Sequence, residues 1–112
     1  MELTRSEEDG MLIVAVQEQR IDAAVALAFK DRMRDVTDGG AQTVLLDLNH
    51  VQFIDSSGLG AIVAAMKNLG SERRLVLAGL TPTVDKVFRL TRMDSVFGVF
   101  PTIEAALEEL RG

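Results

Sequence analysis

Cysteine, tryptophan and tyrosine are absent from this 112-residue sequence, which also has only two prolines. Without cysteine the chain has no disulfide and no thiolate to offer a metal, and the absence fits a reducing compartment. No apolar run approaches the ~20 residues that a membrane-spanning helix needs. The first eight residues lack the basic start and the apolar core of a signal peptide. We therefore expect a cytoplasmic protein that does not insert into a membrane.

Positive charge is also scarce. Twelve Lys and Arg residues against 17 Asp and Glu residues give a formal net charge of −5, which repels nucleic acid and anionic lipid. Arg73-Arg74 is the only adjacent basic pair, and the five Phe residues provide few surfaces on which bases could stack. We expect no nucleic-acid partner.

Apolar residues make up 47% of the chain and are grouped into alternating strand-like and helix-like segments, which indicates one domain over residues 1–112. The predicted strands are Leu3–Ser6, Met11–Val16, Thr43–Leu48, Arg74–Leu80 and Val96–Phe100. The predicted helices are Ala23–Thr37 with Asp22 as its cap, Ser56–Leu69, Thr83–Arg92 and a C-terminal helix capped by Thr102. The order β-β-α-β-α-β-α-β-α predicts an α/β fold, a mixed, mostly parallel sheet with helices packed on it.

The segment Phe53–Gly60 follows a predicted strand and opens a predicted helix, the position where α/β proteins usually place function. A helical wheel at ~100° per residue gathers the large apolar side chains on one side: Leu59, Ile62, Val63, Met66 and Leu69. The opposite side collects small or polar residues: Ser57, Gly60, Ala61, Ala64 and Asn68. Ser57 is then expected to point outward and Ser56 to lie nearer the core. An exposed helix face without charged residues predicts a surface that another protein approaches closely.

A plainer interpretation of the same segment stays open at this point. Asp55 can serve only as a helix cap, with Ser56 and Ser57 as ordinary first-turn residues. Gly58 and Gly60 can merely ease packing against the sheet.

Signs of catalysis or of a cofactor are missing. Ser57 and the single histidine, His50, do not form a Gly-x-Ser-x-Gly nucleophile elbow, and nothing marks an oxyanion hole. No phosphate-binding glycine motif and no metal-ligand spacing is present. A receiver domain with Asp47 as the phosphate acceptor lacks the acidic pair and the lysine that it would need. We predict a binding protein rather than an enzyme, with no cofactor and no metal.

The segment Asp47–Gly60, which reads Asp-Leu-Asn-His-Val-Gln-Phe-Ile-Asp-Ser-Ser-Gly-Leu-Gly, resembles the signature of STAS domains, specifically of bacterial anti-sigma factor antagonists. The similarity covers nearly the whole chain and extends to these further segments: Arg20-Ile21-Asp22, Gly79-Leu80, Phe97–Phe100 and Ile103–Leu107. Two positions depart from the family pattern. Gln19 stands where a glycine is common, and Arg92-Met93 stands where Gly-Leu is frequent.

This resemblance implies a switch based on phosphorylation. It implies that Ser57 is phosphorylated by an anti-sigma factor that is also an ATP-dependent serine kinase, and that the unphosphorylated form binds this kinase and frees the sigma factor. A PP2C-type phosphatase would reset the switch, and Asp55 would orient the Ser57 loop. We expect a monomer with the following partner-binding residues: Asp55, Ser56, Ser57, Gly58, Gly60, Ala61, Ala64 and Asn68. The alternative within the same family is a scaffold, or a regulatory subunit of a signalling or lipid-transport assembly, without a phosphate switch.

Overall fold

The computed structural model describes residues 1–111. Its strands are β1 (Leu3–Glu8), β2 (Met11–Val16), β3 (Arg20–Ile21), β4 (Thr43–Asp47), β5 (Phe53–Ile54), β6 (Arg74–Ala78) and β7 (Gly98–Phe100). Its helices are α1 (Ala26–Thr37), α2 (Ser56–Leu69), α3 (Pro82–Leu90), α4 (Ile103–Arg111) and a 3₁₀ helix (Met93–Ser95).

The main sheet has the strand order β1-β2-β4-β6-β7. The hairpin strand β1 pairs antiparallel with β2, with Leu3 opposite Val16 and Glu8 opposite Met11. The pairs β2–β4, β4–β6 and β6–β7 are all parallel. β2, β4 and β6 are mostly buried along their length, as continuous apolar runs require when a sheet is covered on both faces. The predicted α/β architecture is confirmed.

The helices divide unequally between the two faces of this sheet. The larger core contains side chains of α1, α2 and α3, among them the fully buried Phe29 and Phe88. The Phe88 and Phe97 rings meet edge to face with centroids 6.2 Å apart, a favoured aromatic geometry. Within residues 1–111, α4 is the helix that covers the other face, through Ala106 and Leu107. Three helices therefore share one side of the sheet, and α1 and α2 pack beside each other there.

Two short strands were not predicted. β3 and β5 form a separate two-stranded parallel sheet, with Arg20 opposite Phe53 and Ile21 opposite Ile54. Each strand is only two residues long, too short for apolar alternation to reveal it. This small sheet holds the loop before α1 against the start of α2.

The capping predictions had mixed outcomes. Thr102 caps α4 by accepting a hydrogen bond from the Ala105 backbone N–H at 3.0 Å, as predicted. The prediction that Asp22 caps α1 is wrong, because α1 begins at Ala26 and its cap position is Val25. Asp22 instead closes the preceding turn, where its Oδ1 accepts from the Ala24 N–H at 3.1 Å.

Two further properties concern residues 1–111 together. None of the helices in residues 1–111 has both the length and the hydropathy that crossing a bilayer requires. The same residues contain no cluster of three or more His, Asp or Glu side chains that could hold a metal ion.

Candidate functional site

Asp55 organises the start of α2. As the cap residue it adopts an extended backbone, and its Oδ1 accepts a hydrogen bond from the Gly58 N–H at 2.8 Å. Its second oxygen, Oδ2, accepts from the Ala23 N–H at 3.1 Å. One carboxylate therefore satisfies a free N–H of the first helical turn and ties that turn to the loop before α1.

The charge of Asp55 is stabilised by the same contacts. The hydrogen bond from the Gly58 N–H lowers the pKa of Asp55 below its ordinary value, opposed by partial desolvation and aided by the N–H groups of Ala23 and Ser57. Hydrogen bonds to a carboxylate favour its ionised form. Asp55 is the cap of α2, as the plainer interpretation held. Its carboxylate also joins the start of α2 to the loop before α1, which that interpretation did not include.

Both serines that follow Asp55 are exposed on the first turn of α2. Ser57 points outward, as the wheel predicted. The expectation that Ser56 lies nearer the core is wrong, since it is exposed as well. Exposure at a helix N-terminus leaves either hydroxyl accessible to a kinase, and the free N–H groups there suit a phosphate.

The orientation of α2 differs from the predicted one. The buried residues are Gly58, Ala61, Ile62, Ala65 and Leu69. On a helical wheel at ~100° per residue, the mean direction of these residues differs by about 80° from the mean direction of the large apolar side chains. Small side chains face inward because α2 packs closely against β3 and α1. Leu59, Val63 and Met66 are only partly buried at the edge of the core.

This rotation corrects two of the expected partner-binding residues. Ala61 is only 2% exposed and Gly58 is buried, so neither presents a surface to a partner. Gly60 and Asn68 are exposed and Ala64 is partly exposed. With Ser57, these three residues form a stripe along α2, which we call the Ser57 stripe. Its far half, at Ala64 and Asn68, borders α1.

Sequence reasoning missed the neighbouring residues of α1 and of the small sheet. Leu27 on α1 is 68% exposed, and Lys30 and Arg34 of the same helix line a groove with the far end of α2. The Arg20 guanidinium lies 4.2 Å from the centroid of the Phe53 ring, and it also forms an ion pair with Asp22 at 3.2 Å. Leu27, Lys30 and Arg34 have i, i+3 and i, i+7 spacing, which places them on one face of a helix. This spacing was the sequence signal that could have identified them.

The remaining candidate residues have structural surroundings. His50 is exposed in the loop after β4. Asp47 at the end of β4 accepts a hydrogen bond from the Asn49 N–H at 2.9 Å through Oδ1, so its carboxylate has a structural partner. The arrangement around Ser57 is therefore an exposed hydroxyl beside a small-residue surface, which suits recognition by another protein.

Comparison with known proteins identifies the family of the chain. The STAS domain family matches residues 2–106. The chain is 35% identical over 107 residues to BtrV of Bordetella bronchiseptica, whose name places it among anti-sigma factor antagonists. The alignment covers 95% of this chain and 91% of BtrV.

Solved structures show the same fold. An anti-sigma factor antagonist from Mycobacterium paratuberculosis superimposes with a TM-score of 0.87 at 27% identity, covering 99% of this chain and 94% of that chain. The phosphorylated form of the Bacillus protein SpoIIAA superimposes with a TM-score of 0.68 at 19% identity, covering 97% of this chain and 99% of that chain, a level at which only the fold is comparable. The chain therefore belongs to the STAS domain family, and its relatives in Bordetella and Mycobacterium carry the name of anti-sigma factor antagonists.

Proposed function

We propose that this protein is an anti-sigma factor antagonist that works by partner switching controlled by a phosphate on Ser57. Its unphosphorylated form binds an anti-sigma factor that is also a serine kinase, and this binding releases the sigma factor. A PP2C-type phosphatase restores the unphosphorylated form. The observation that carries the proposal is the exposed Ser57 hydroxyl on the first turn of α2, above a stripe of small residues.

The stripe supports close docking. Apart from the adjoining residues and the backbone of α2 itself, no heavy atom of residues 1–111 lies within 4 Å of the position where a Cβ of Gly60 would stand. Ala64 offers a single methyl group. A partner can therefore bring its own backbone or side chains close to α2. A phosphate on Ser57 would then be enclosed in the interface, at the edge of the contact surface.

A comparison of free energies favours dissociation of the phosphorylated protein from its partner. On the free protein, a phosphate at a helix N-terminus is favoured by about 0.3–1 kcal/mol. In a closed interface, an uncompensated charge costs about 3–5 kcal/mol, which corresponds to a loss of about a hundredfold to several thousandfold in affinity. The ionised carboxylate of Asp55 lies near Ser57 and repels a phosphate on that residue, which adds to the cost of enclosing the phosphate in the interface. The phosphate acts by preventing docking, while the fold remains intact.

The phosphorylated SpoIIAA structure supports the proposal only through the shared fold. The antagonist names of the relatives support the partner class. The proposed switch requires that a kinase can reach the Ser57 hydroxyl, and the exposure of Ser57 supports this requirement.

The test uses a candidate partner from the same genome, a small ATPase of the histidine-kinase type, with Ser57→Ala, Ser57→Asp and Ser56→Ala variants. Phosphopeptide mass spectrometry after incubation with ATP should locate phosphate on Ser57 in the wild type and in Ser56→Ala, and none in Ser57→Ala. In calorimetric titrations, Ser57→Ala should bind as tightly as the wild type, and Ser57→Asp at least about a hundredfold more weakly. Equal affinities of Ser57→Ala and Ser57→Asp for the kinase would overturn the switch.

A further inference from the structure

A groove lies between α1 and the far half of the Ser57 stripe, and it shares Ala64 and Asn68 with that stripe. Its volume is about 400 Å³, and it is lined by Lys30, Arg34, Ala64, Ala65, Lys67 and Asn68. Lys30 and Arg34 are one helical turn apart on α1, so their side chains stand side by side on one wall. Lys67 and Asn68 form the opposite wall.

The walls carry unneutralised positive charge. Within residues 1–111, none of Lys30, Arg34 and Lys67 has a carboxylate within ion-pair distance, and no acidic residue lines the groove. The whole chain has a net charge of −5. Asp31 and Asp35 follow Lys30 and Arg34 on α1 and are exposed, but they do not line the groove. The lining is therefore positive in a protein of negative net charge, and such linings attract negatively charged partners.

The floor of the groove allows close approach. Ala65 is buried and Ala64 is partly exposed, so the floor consists of methyl groups below long, flexible cationic side chains. We propose that this groove binds an acidic segment of the partner protein. The proposal rests on the proposed function, since the groove continues the surface on which the kinase would dock.

A short acidic peptide segment fits these features better than a polyanion. Three cations neutralise a few carboxylates, whereas a nucleic acid or an anionic membrane brings many more charges against a protein that is itself negative. The methyl floor also suits the main chain of a peptide. Carboxylates on such a segment would pair with the groove walls at the rim.

The groove and the phosphate switch act separately. Ser57 and Ala64 are seven residues apart on the same side of α2, or about 10 Å at 1.5 Å per residue. The Debye length at physiological ionic strength is about 8 Å, so a phosphate on Ser57 changes the potential in the groove only weakly. Removing groove charge should slow association and make it less dependent on salt, whereas phosphorylation prevents docking.

The test with a defined probe uses an acetylated octapeptide of alternating Glu and Ala and its counterpart with Gln in place of Glu. Titration into ¹⁵N-labelled protein should shift the backbone amides of Lys30, Arg34, Ala64 and Asn68 with the Glu peptide only. The variant Lys30→Gln/Arg34→Gln should bind the Glu peptide at least about fivefold more weakly. The control Lys86→Gln/Arg92→Gln removes the same charge from exposed residues elsewhere and should stay within about twofold of the wild type.

Several results would overturn the proposal. These are equal binding of the Glu and Gln peptides, shifts that lie outside the groove, and stronger binding of single-stranded DNA or phosphatidylserine vesicles than of the Glu peptide at 0.15 M salt. Measurements of binding to the kinase and of phosphorylation by it distinguish the failure of this proposal from the failure of the Ser57 switch. A kinase that distinguishes Ser57→Ala from Ser57→Asp but binds Lys30→Gln/Arg34→Gln like the wild type contradicts the groove alone. A groove that binds the Glu peptide in a protein that the kinase does not phosphorylate contradicts the switch alone.

Discussion

Gly58 of α2 and the main chain of Ile21 in β3 are in such close contact that no side chain fits at position 58. A Cβ on Gly58 would stand 2.7 Å from the carbonyl carbon of Ile21 and closer still to its oxygen. Gly60, two residues later, has open space where a Cβ would be. Two glycines of one motif therefore serve different purposes: Gly58 permits the contact between α2 and the small sheet, and Gly60 leaves the Ser57 stripe bare.

The Gly58→Ala and Gly60→Ala variants should have opposite effects on stability. Gly58→Ala forces α2 away from β3, and overpacking of this kind should lower the free energy of unfolding by about 3 kcal/mol. Gly60→Ala should raise it by about 0.5–1 kcal/mol, because alanine is the better residue in a helix interior. Urea denaturation of both variants measures the difference. Similar effects of the two substitutions would contradict the assigned contact with Ile21.

Some parts of the fold and of the candidate site were predictable from the sequence, and others were not. The strands β2, β4 and β6 were predictable because each is a continuous apolar run, and the cap at Asp55 was predictable from its residue type. The buried face of α2 was not predictable. The helical wheel gave most weight to large side chains such as Met66, whereas the close packing of α2 buries Ala61 and Ala65. β3 and β5 pair through backbone groups over two residues, for which the side-chain pattern has no signal. The groove was not predicted, because Lys30 and Arg34 line it together with residues of α2, and the sequence does not show that α1 and α2 lie side by side.

The contribution of Asp55 to stability should depend on pH. Its pKa is lowered in the folded protein, so its stabilising effect is fully present above the unfolded value of ~3.9 and disappears as the pH falls through the lower folded value. Asp55→Asn keeps a capping oxygen but does not titrate. The difference in Tm between the wild type and Asp55→Asn, followed by circular dichroism from pH 6 to pH 2, should be largest above about pH 5 and shrink toward pH 2. A constant difference over this range would show that the Asp55 charge adds nothing to folding.

Phosphate on Ser57 should leave the protein folded. Negative charge on the first turn of α2 interacts favourably with the helix dipole, by about 0.3–1 kcal/mol, against repulsion from Asp55. The Ser57→Asp variant should therefore have the far-UV circular dichroism spectrum of the wild type and a Tm within about 5 °C of it. A non-cooperative or strongly lowered transition would mean that any loss of partner binding in this variant comes from unfolding rather than from blocked docking.

Leu27 is expected to contribute to the docking surface. It is 68% exposed on the face of α1 that also carries Lys30 and Arg34, and the hydrogen bond between Ala23 and Asp55 places the chain just before α1 at the start of α2. Leu27→Ala should reduce affinity for the kinase by about 5- to 30-fold and change the free energy of unfolding by less than about 0.5 kcal/mol. Leu90, 74% exposed at the end of α3, is the matched control. Leu90→Ala should bind the kinase as the wild type does, and an equal loss for both variants would remove Leu27 from the surface.

Arg92 adopts a strained backbone between α3 and the 3₁₀ helix. Its φ is +63°, in the left-handed region, which costs a non-glycine residue about 1–2 kcal/mol. The side chain is exposed and has no ion pair among residues 1–111, so no ion pair offsets this cost. The resemblance described in the sequence analysis implies glycine at this position, and glycine adopts such a φ without steric cost.

Arg92→Gly should therefore stabilise the protein. We expect a gain of about 1 kcal/mol after the greater freedom of glycine in the unfolded chain is subtracted, equivalent to a rise in Tm of about 4 °C. Arg89→Gly is the control, because Arg89 lies inside α3 and pairs with Asp85 at 2.8 Å, and it should lose about 1 kcal/mol. Thermal unfolding of the two variants beside the wild type measures both effects. A lower Tm for Arg92→Gly would mean that the arginine side chain stabilises this turn by more than its backbone strain costs.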